Sequence, residues 1–281
     1  MLAVGLVHSA HAEPNVERPT GTLAASGADA WLYAPAPIFA DAVAPVSDPA
    51  RQYRSSEASK SAWIHQSRWL RTRLAERGLA IGSPIHIRIF KQTRELELHV
   101  RGRDGFVLYR NYPICAISGT LGPKRFEGDL QAPEGFYTVR PEQLHPTSDF
   151  HLAFNLGFPN RFDRSLGRTG SNIMIHGGCA SRGCFAMSDY YMEQIYVLAE
   201  AALRNGQPAI GVEIYPFRMS TANLRAHAGS RWHDFWQSLK PAYDHFVATS
   251  IPAAVESEPG GYRLAASRET DGSAIPPASA P

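Results

Sequence analysis

The chain lacks three things that would have placed it quickly. No run of about 18 apolar residues occurs, which excludes a transmembrane helix of ordinary length. Neither sign of charge dominates: 28 basic and 26 acidic residues leave a formal net charge of +2. That argues against nucleic-acid binding through a broad basic face. Cysteine is scarce, with three in 281 residues, too few for a disulfide-built scaffold. What remains is ordinary for a folded domain. Hydrophobic residues make up 44% and charged residues 19%, so the chain is neither wholly disordered nor a coiled coil.

Residues 1–12, MLAVGLVHSAHA, combine a short apolar run with Ala10-His11-Ala12, the small-x-small form of a signal-peptidase site. No positive region precedes the run. The reading is a secretory signal truncated at its start, and hence a periplasmic or otherwise exported protein. Residues 13–60 are rich in Ala, Pro and Ser without periodicity and are expected to be a linker. Residues 61–79 carry Trp63, Ile64, Trp69, Leu70, Leu74 and Leu79 at helical spacing, with Gly78 as a stop.

From Pro84 the pattern becomes that of strands. Ile85–Phe90 and Leu96–Val100 alternate apolar and polar residues, and short runs follow between Gly- and Asp-rich turns. This predicts a largely antiparallel sheet. A helix is expected from Asp189 to Asn205, a last strand at Val212–Tyr215, and a helix over 231–247 interrupted near Pro241. Residues 248–281, rich in Pro, Ala, Ser and Gly, are expected to be a disordered tail.

The chemistry is concentrated in Ile175–Met187, IHGGCASRGCFAM, with one histidine and two cysteines within ten positions. Three readings follow. In the first, Cys184 is a nucleophile and His176 its base; Gly183 leaves room for a substrate carbonyl, and the turn can aim N–H groups at an oxyanion. In the second, His176, Cys179 and Cys184 hold a metal, although a fourth ligand is missing and C-x₄-C is an uncommon zinc spacing. In the third, Cys179 and Cys184 form a strained, labile disulfide. Cys115, in an apolar strand, reads as a buried small hydrophobe. His86, His145 and His151 read as structural or exposed.

The run His176-Gly177-x-Cys179-x-Ser181-x-Gly183-Cys184-Phe185-Ala186-Met187-Ser188-Asp189 resembles the active-site signature of the YkuD-type L,D-transpeptidases, in its YafK-like branch. Pro84–Lys91, Tyr112–Cys115, Leu121–Lys124, Pro133–Tyr137, Phe154–Asn160, Gly167–Gly170 and Pro216–Met219 also resemble this branch. The resemblance therefore covers about residues 61–247, with a core of about 84–216. It implies a β-rich α+β catalytic domain with an N-terminal helix and flanking C-terminal helices. It further implies Cys184 as nucleophile, His176 as base, the Gly177 carbonyl as the group that orients the imidazole, and the Gly183 and Cys184 N–H groups as the oxyanion hole. No metal or organic cofactor is implied.

The implied substrates are diaminopimelate-containing stem peptides of peptidoglycan. For this branch the implied reaction is cleavage of the amide that joins diaminopimelate to an outer-membrane lipoprotein. Cross-linking transpeptidation is the alternative at the same site, and a non-catalytic murein-binding module is the rival of another class. Ser181, matching the motif serine, contacts substrate or stabilises the turn. Lys124, Arg125 and Arg168 are candidate anchors for stem-peptide carboxylates, and Tyr137 and Asn155 are candidate cleft residues. Two features depart from the broad family. Ala186 stands where most members have an arginine, and only eight positions separate His176 from Cys184.

Overall fold

The computed structural model describes residues 53–266. The expected signal at 1–12, most of the expected linker, and the end of the expected tail from 267 lie outside the described residues.

Helix α1 (Glu57–Ala75) starts four residues before the periodicity implied, because Ser56 caps it. The Ser56 hydroxyl accepts from the Ser59 N–H, and the Ser59 hydroxyl accepts from the Ser56 N–H. Reciprocal capping of this kind satisfies two orphan donors. The buried stripe is Ser59, Ala62, Gln66, Leu70 and Leu74. Ile64, expected to be inside, is 73% exposed. Small residues at 59 and 62 let the helix approach its neighbour closely, which bulkier side chains would prevent.

Twelve strands follow: β1 (Ile85–Phe90), β2 (Glu95–Arg101), β3 (Phe106–Pro113), β4 (Ala116–Ile117), β5 (Gly135–Val139), β6 (Leu144–His145), β7 (Ala153–Asn155), β8 (Met174–His176), β9 (Phe185–Ala186), β10 (Ile210–Tyr215), β11 (Val255–Glu258) and β12 (Gly261–Leu264). Between them lie α2 (Arg161–Ser165), α3 (Asp189–Arg204), α4 (Thr221–Ala226) and α5 (His233–Thr249). The first sheet has the order β3-β2-β1-β10-β5 and the second β4-β9-β8-β7-β6; β11 and β12 form a hairpin. All pairings are antiparallel except β1 with β10 and β8 with β9. The architecture is mixed α+β, as expected. Parallel pairing of β1 and β10 requires a long crossover, and the whole second sheet lies within it.

One apolar core lies between the sheets. Ile85, Ile87 and Ile89 of β1 and Leu96, Leu98 and Val100 of β2 meet Phe154, Ile175 and Phe185 of the second sheet. Ile195 and Leu198 of α3 and Leu70 and Leu74 of α1 complete it. A second core covers the far face of the first sheet, where Phe90, Phe136 and Tyr215 pack on Phe235, Trp236 and Leu239 of α5. Every residue of β1 is therefore buried, although its alternation implied one wet face. The polar side chains on that face form an internal ionic cluster. Arg88 Nε lies 3.1 Å from Glu213 Oε2, and His86 Nε2 lies 3.2 Å from Glu213 Oε1.

Two further expectations are corrected. Helix α5 runs through Pro241 without a break, because Pro241 is exposed and the apolar residues on both sides of it are buried. Their burial offsets a proline defect of about 3 kcal/mol. The segment expected to be a disordered tail from 248 is ordered to residue 266. Its hairpin inserts Val255 and Tyr262 into the second core, and Asn160 Nδ2 donates to the Tyr262 hydroxyl at 2.9 Å. Composition alone did not reveal these two anchoring side chains.

Candidate active site

The second sheet is made of strands two or three residues long, and its register builds the site. Ala153, His176, Ala186 and Ala116 lie in one row across β7, β8, β9 and β4. Alanine on either side of His176 leaves its face of the sheet uncrowded. Cys184 immediately precedes β9, the strand whose Ala186 pairs with His176. The position where most family members carry arginine is thus the alanine beside the imidazole, and it is fully buried.

His176 is buried, at 4% exposure. Its Nδ1 lies 2.5 Å from the Gly177 carbonyl oxygen. A carbonyl only accepts, so Nδ1 carries the proton and Nε2 keeps its lone pair. The Phe150 ring packs beside the imidazole, with centroids 4.8 Å apart. Burial lowers the His176 pKa below the usual imidazole value, against the raising effect of the Gly177 bond.

Cys184 is the free cysteine of the described residues, and it is half-buried. Its Sγ lies 3.5 Å from the Asn172 carbonyl, to which the S–H donates. Burial raises the thiol pKa, opposed by the Met174 backbone N–H and by the charge of Lys124. The resting pair is therefore neutral thiol and neutral imidazole, suited to proton transfer during attack.

The loop between them is tightly held. A Cβ on Gly177 would come within 2.6 Å of Asp189 Oδ1 and 2.7 Å of the Phe150 carbonyl, so only glycine fits. Asp189 Oδ1 accepts from the Gly178 N–H at 2.7 Å, which ties the loop to the start of α3. The Ser181 hydroxyl donates to the Cys184 carbonyl at 2.8 Å and lies 3.3 Å from Ser118 Oγ. Gly183 N–H donates to Ser118 Oγ at 2.6 Å. In this state, then, one of the two expected oxyanion donors is engaged with a hydroxyl. Sequence reasoning did not single out Ser118; its place at the end of the Tyr112–Gly119 run was the available signal.

The cysteine readings are corrected. Cys115 is neither buried nor reduced: it is exposed and forms a disulfide with Cys179, at a Cα separation of 5.3 Å. Cys179 is thereby unavailable to Cys184, and the ligand set His176, Cys179 and Cys184 is broken. The partner lies 64 residues away in sequence. Short spacing drew attention to Cys179 and Cys184; the adjacency of β4 and β9 brings Cys115 close instead.

The expected substrate residues fare differently. Lys124 is buried, with Nζ 2.6 Å from Asp129 Oδ1. Arg168 is buried and lies 2.7 Å from Asp163 Oδ1. The Tyr137 hydroxyl donates to Asp163 Oδ2 at 2.8 Å. Their polar groups are taken up by internal partners, so Lys124 and Arg168 are not presented to an incoming carboxylate. Arg125 is exposed. Tyr137 and Asn155 do line a cavity of about 750 Å³ that also reaches Asn172 and Met174, the neighbours of the thiol. No helix of the described residues is long and apolar enough to cross a membrane.

The chain is similar in sequence to known proteins. The profile of the YkuD L,D-transpeptidase catalytic domain matches residues 84–210. "Putative L,D-transpeptidase YafK" of Escherichia coli strain K12 is 46% identical over 182 residues, covering 65% of this chain and 74% of that protein. The same-named protein of Escherichia coli O157:H7 matches equally. Among solved structures, the helical cell shape determining protein Pgp2 from Campylobacter jejuni aligns with a TM-score of 0.38 and 23% identity, over 52% of this chain and 55% of that chain. Bd1075 of Bdellovibrio bacteriovorus aligns with a TM-score of 0.34, over 48% of this chain and 49% of its own. The chain belongs to the YkuD L,D-transpeptidase catalytic domain family, whose members act on peptidoglycan.

Proposed function

We propose that the protein is an exported cysteine enzyme that hydrolyses the amide between diaminopimelate and a covalently attached lipoprotein. The observation that carries the reading is the buried His176, with its tautomer set by the Gly177 carbonyl, on the strand paired with β9, which the free Cys184 immediately precedes. In the first half-reaction the Cys184 sulfur bonds to the carbonyl carbon and the thiol proton passes to His176 Nε2. The oxyanion is met by the Cys184 N–H and by the Gly183 N–H, which exchanges the Ser118 hydroxyl for it. The C–N bond then breaks and the leaving amine takes the proton from Nε2. In the second half-reaction a water oxygen bonds to the thioester carbon and gives its proton to Nε2. The C–S bond breaks, and the thiolate recovers that proton.

The Cys115–Cys179 disulfide supports an oxidising compartment, and hence export. Replacement of water by an amine would make the same site a transpeptidase. Purified protein and its Cys184→Ala variant, incubated with sacculi that carry bound lipoprotein, separate the two by mass spectrometry of the products. Lipoprotein released by the wild type alone is the expected result. New diaminopimelate cross-links without release would replace hydrolysis by transpeptidation, and no product at all would favour a binding module.

A further inference from the structure

The cavity of about 750 Å³ beside the thiol is bordered by Arg140, Arg161 and Arg164, against the single carboxylate of Glu142. The arginines buried in the fold have acidic partners, Arg88 with Glu213 and Arg168 with Asp163, whereas several exposed ones have none. Arg140, Arg161 and Arg164 have no ion-pair partner within 4.0 Å among the described residues. Arg164 instead donates to the Pro159 carbonyl, which orients its guanidinium. The guanidinium fork suits carboxylates. The cavity reaches Asn172, whose carbonyl lies 3.5 Å from Cys184 Sγ, although neither Cys184 nor His176 lines it.

We propose that Arg140, Arg161 and Arg164 hold the carboxylates of the stem peptide that bears the scissile carbonyl, and so select a polyanionic acyl donor. This rests on the peptidoglycan reading above. The donor, not the departing protein, is the part that needs such a site. It stays on the enzyme through both half-reactions, so one anchor binds the substrate and the acyl-enzyme alike. The carboxylate-anchoring role expected for Lys124 and Arg168 thereby passes to cations that the fold leaves without acidic partners.

The test uses a soluble diaminopimelate-containing tripeptide muropeptide and its carboxylate-amidated form. Binding is measured by calorimetry on the Cys184→Ala chain, with and without Arg161→Gln and Arg164→Gln. The double change is expected to weaken binding about tenfold or more and to flatten its salt dependence. Amidation of the muropeptide is expected to erase the difference between the two chains. With Cys184 present, KM for lipoprotein release should rise in the same proportion while kcat holds, the signature of lost uniform binding. Arg225→Gln, an exposed change on α4, is the matched control and should alter nothing. Arg161 and Arg164 are exposed, so the fold should survive; melting curves check this, and the salt titration of the unaltered arginine set is an independent arm.

Binding unchanged in the double variant, or amidated muropeptide bound as tightly as the native form, overturns the proposal. Release of lipoprotein with normal KM in the double variant would sink the arginine site and leave the reaction standing. Carboxylate-dependent muropeptide binding without any release would do the reverse.

Discussion

Two groups of buried histidines serve different ends, and their surroundings account for it. On the far face of the first sheet, His86 lies 3.2 Å from Glu213, and His99 lies 3.2 Å from Glu97. Burial disfavours the Glu97 charge, yet hydrogen bonds from His99 and Arg218 and the Arg88 charge hold its pKa at about 2. On the second sheet, His176 has no carboxylate partner among the described residues; its Nδ1–H donates to a backbone carbonyl. The first region is an ionic cluster closed by α5. The second leaves Nε2 of the imidazole without a protein partner and holds the thiol only by the Asn172 carbonyl. Partner chemistry, more than burial, sets His176 apart from His86 and His99.

The sharpest way to break the comparison is to remove the thiol and the imidazole. Cys184→Ala should abolish lipoprotein release, and His176→Ala should lower kcat by about 10²–10⁴ with the fold intact. Melting temperature and single-turnover kinetics check both. Equal activity in His176→Ala would end the distinction drawn here.

The ionic cluster predicts the opposite pattern. Glu213→Ala leaves Arg88 buried beside no partner at that position, and should cost about 3–5 kcal/mol in denaturant unfolding. Molecules that remain folded should keep their kcat. Loss of the disulfide comes next. Cys115→Ala with Cys179→Ala should cost about 2–4 kcal/mol, given the 64-residue separation. A reductant should then lower the melting temperature of the wild type but not of the double variant.

Two smaller effects sharpen the contrast. The base must be neutral, and burial lowers the His176 pKa, so activity is lost only as pH falls through that lowered value. The acid limb of kcat/KM should therefore lie below the ordinary imidazole value of about 6.5. An acid limb at or above pH 6.5 would contradict the assigned environment. Ser181→Ala removes a hydrogen bond to the Cys184 carbonyl and should cost about 1 kcal/mol in stability, with at most about a tenfold fall in activity.

The site was legible because its parts are contiguous. His176, Gly177, Ser181, Gly183, Cys184 and Asp189 fall within one short segment, where local backbone geometry does much of the positioning. The alternation of β1 and β2 was legible for the same reason. Ser118 and Cys115 were not, since each meets the loop from a strand more than 60 positions away. Nor does a sequence show which cations carry acidic partners: Arg168 and Arg164 lie four positions apart, one sealed against Asp163 and the other at the cavity.

By itself, then, the sequence determined the reactive segment, the strand periods and the family resemblance, all of which depend on neighbours a few residues apart. The tertiary structure decided the disulfide partner, the burial of both faces of β1, the ordered hairpin at 255–264 and the identity of the unpaired arginines. Each of these depends on contacts between distant segments, and their energies are set by which groups lose water together.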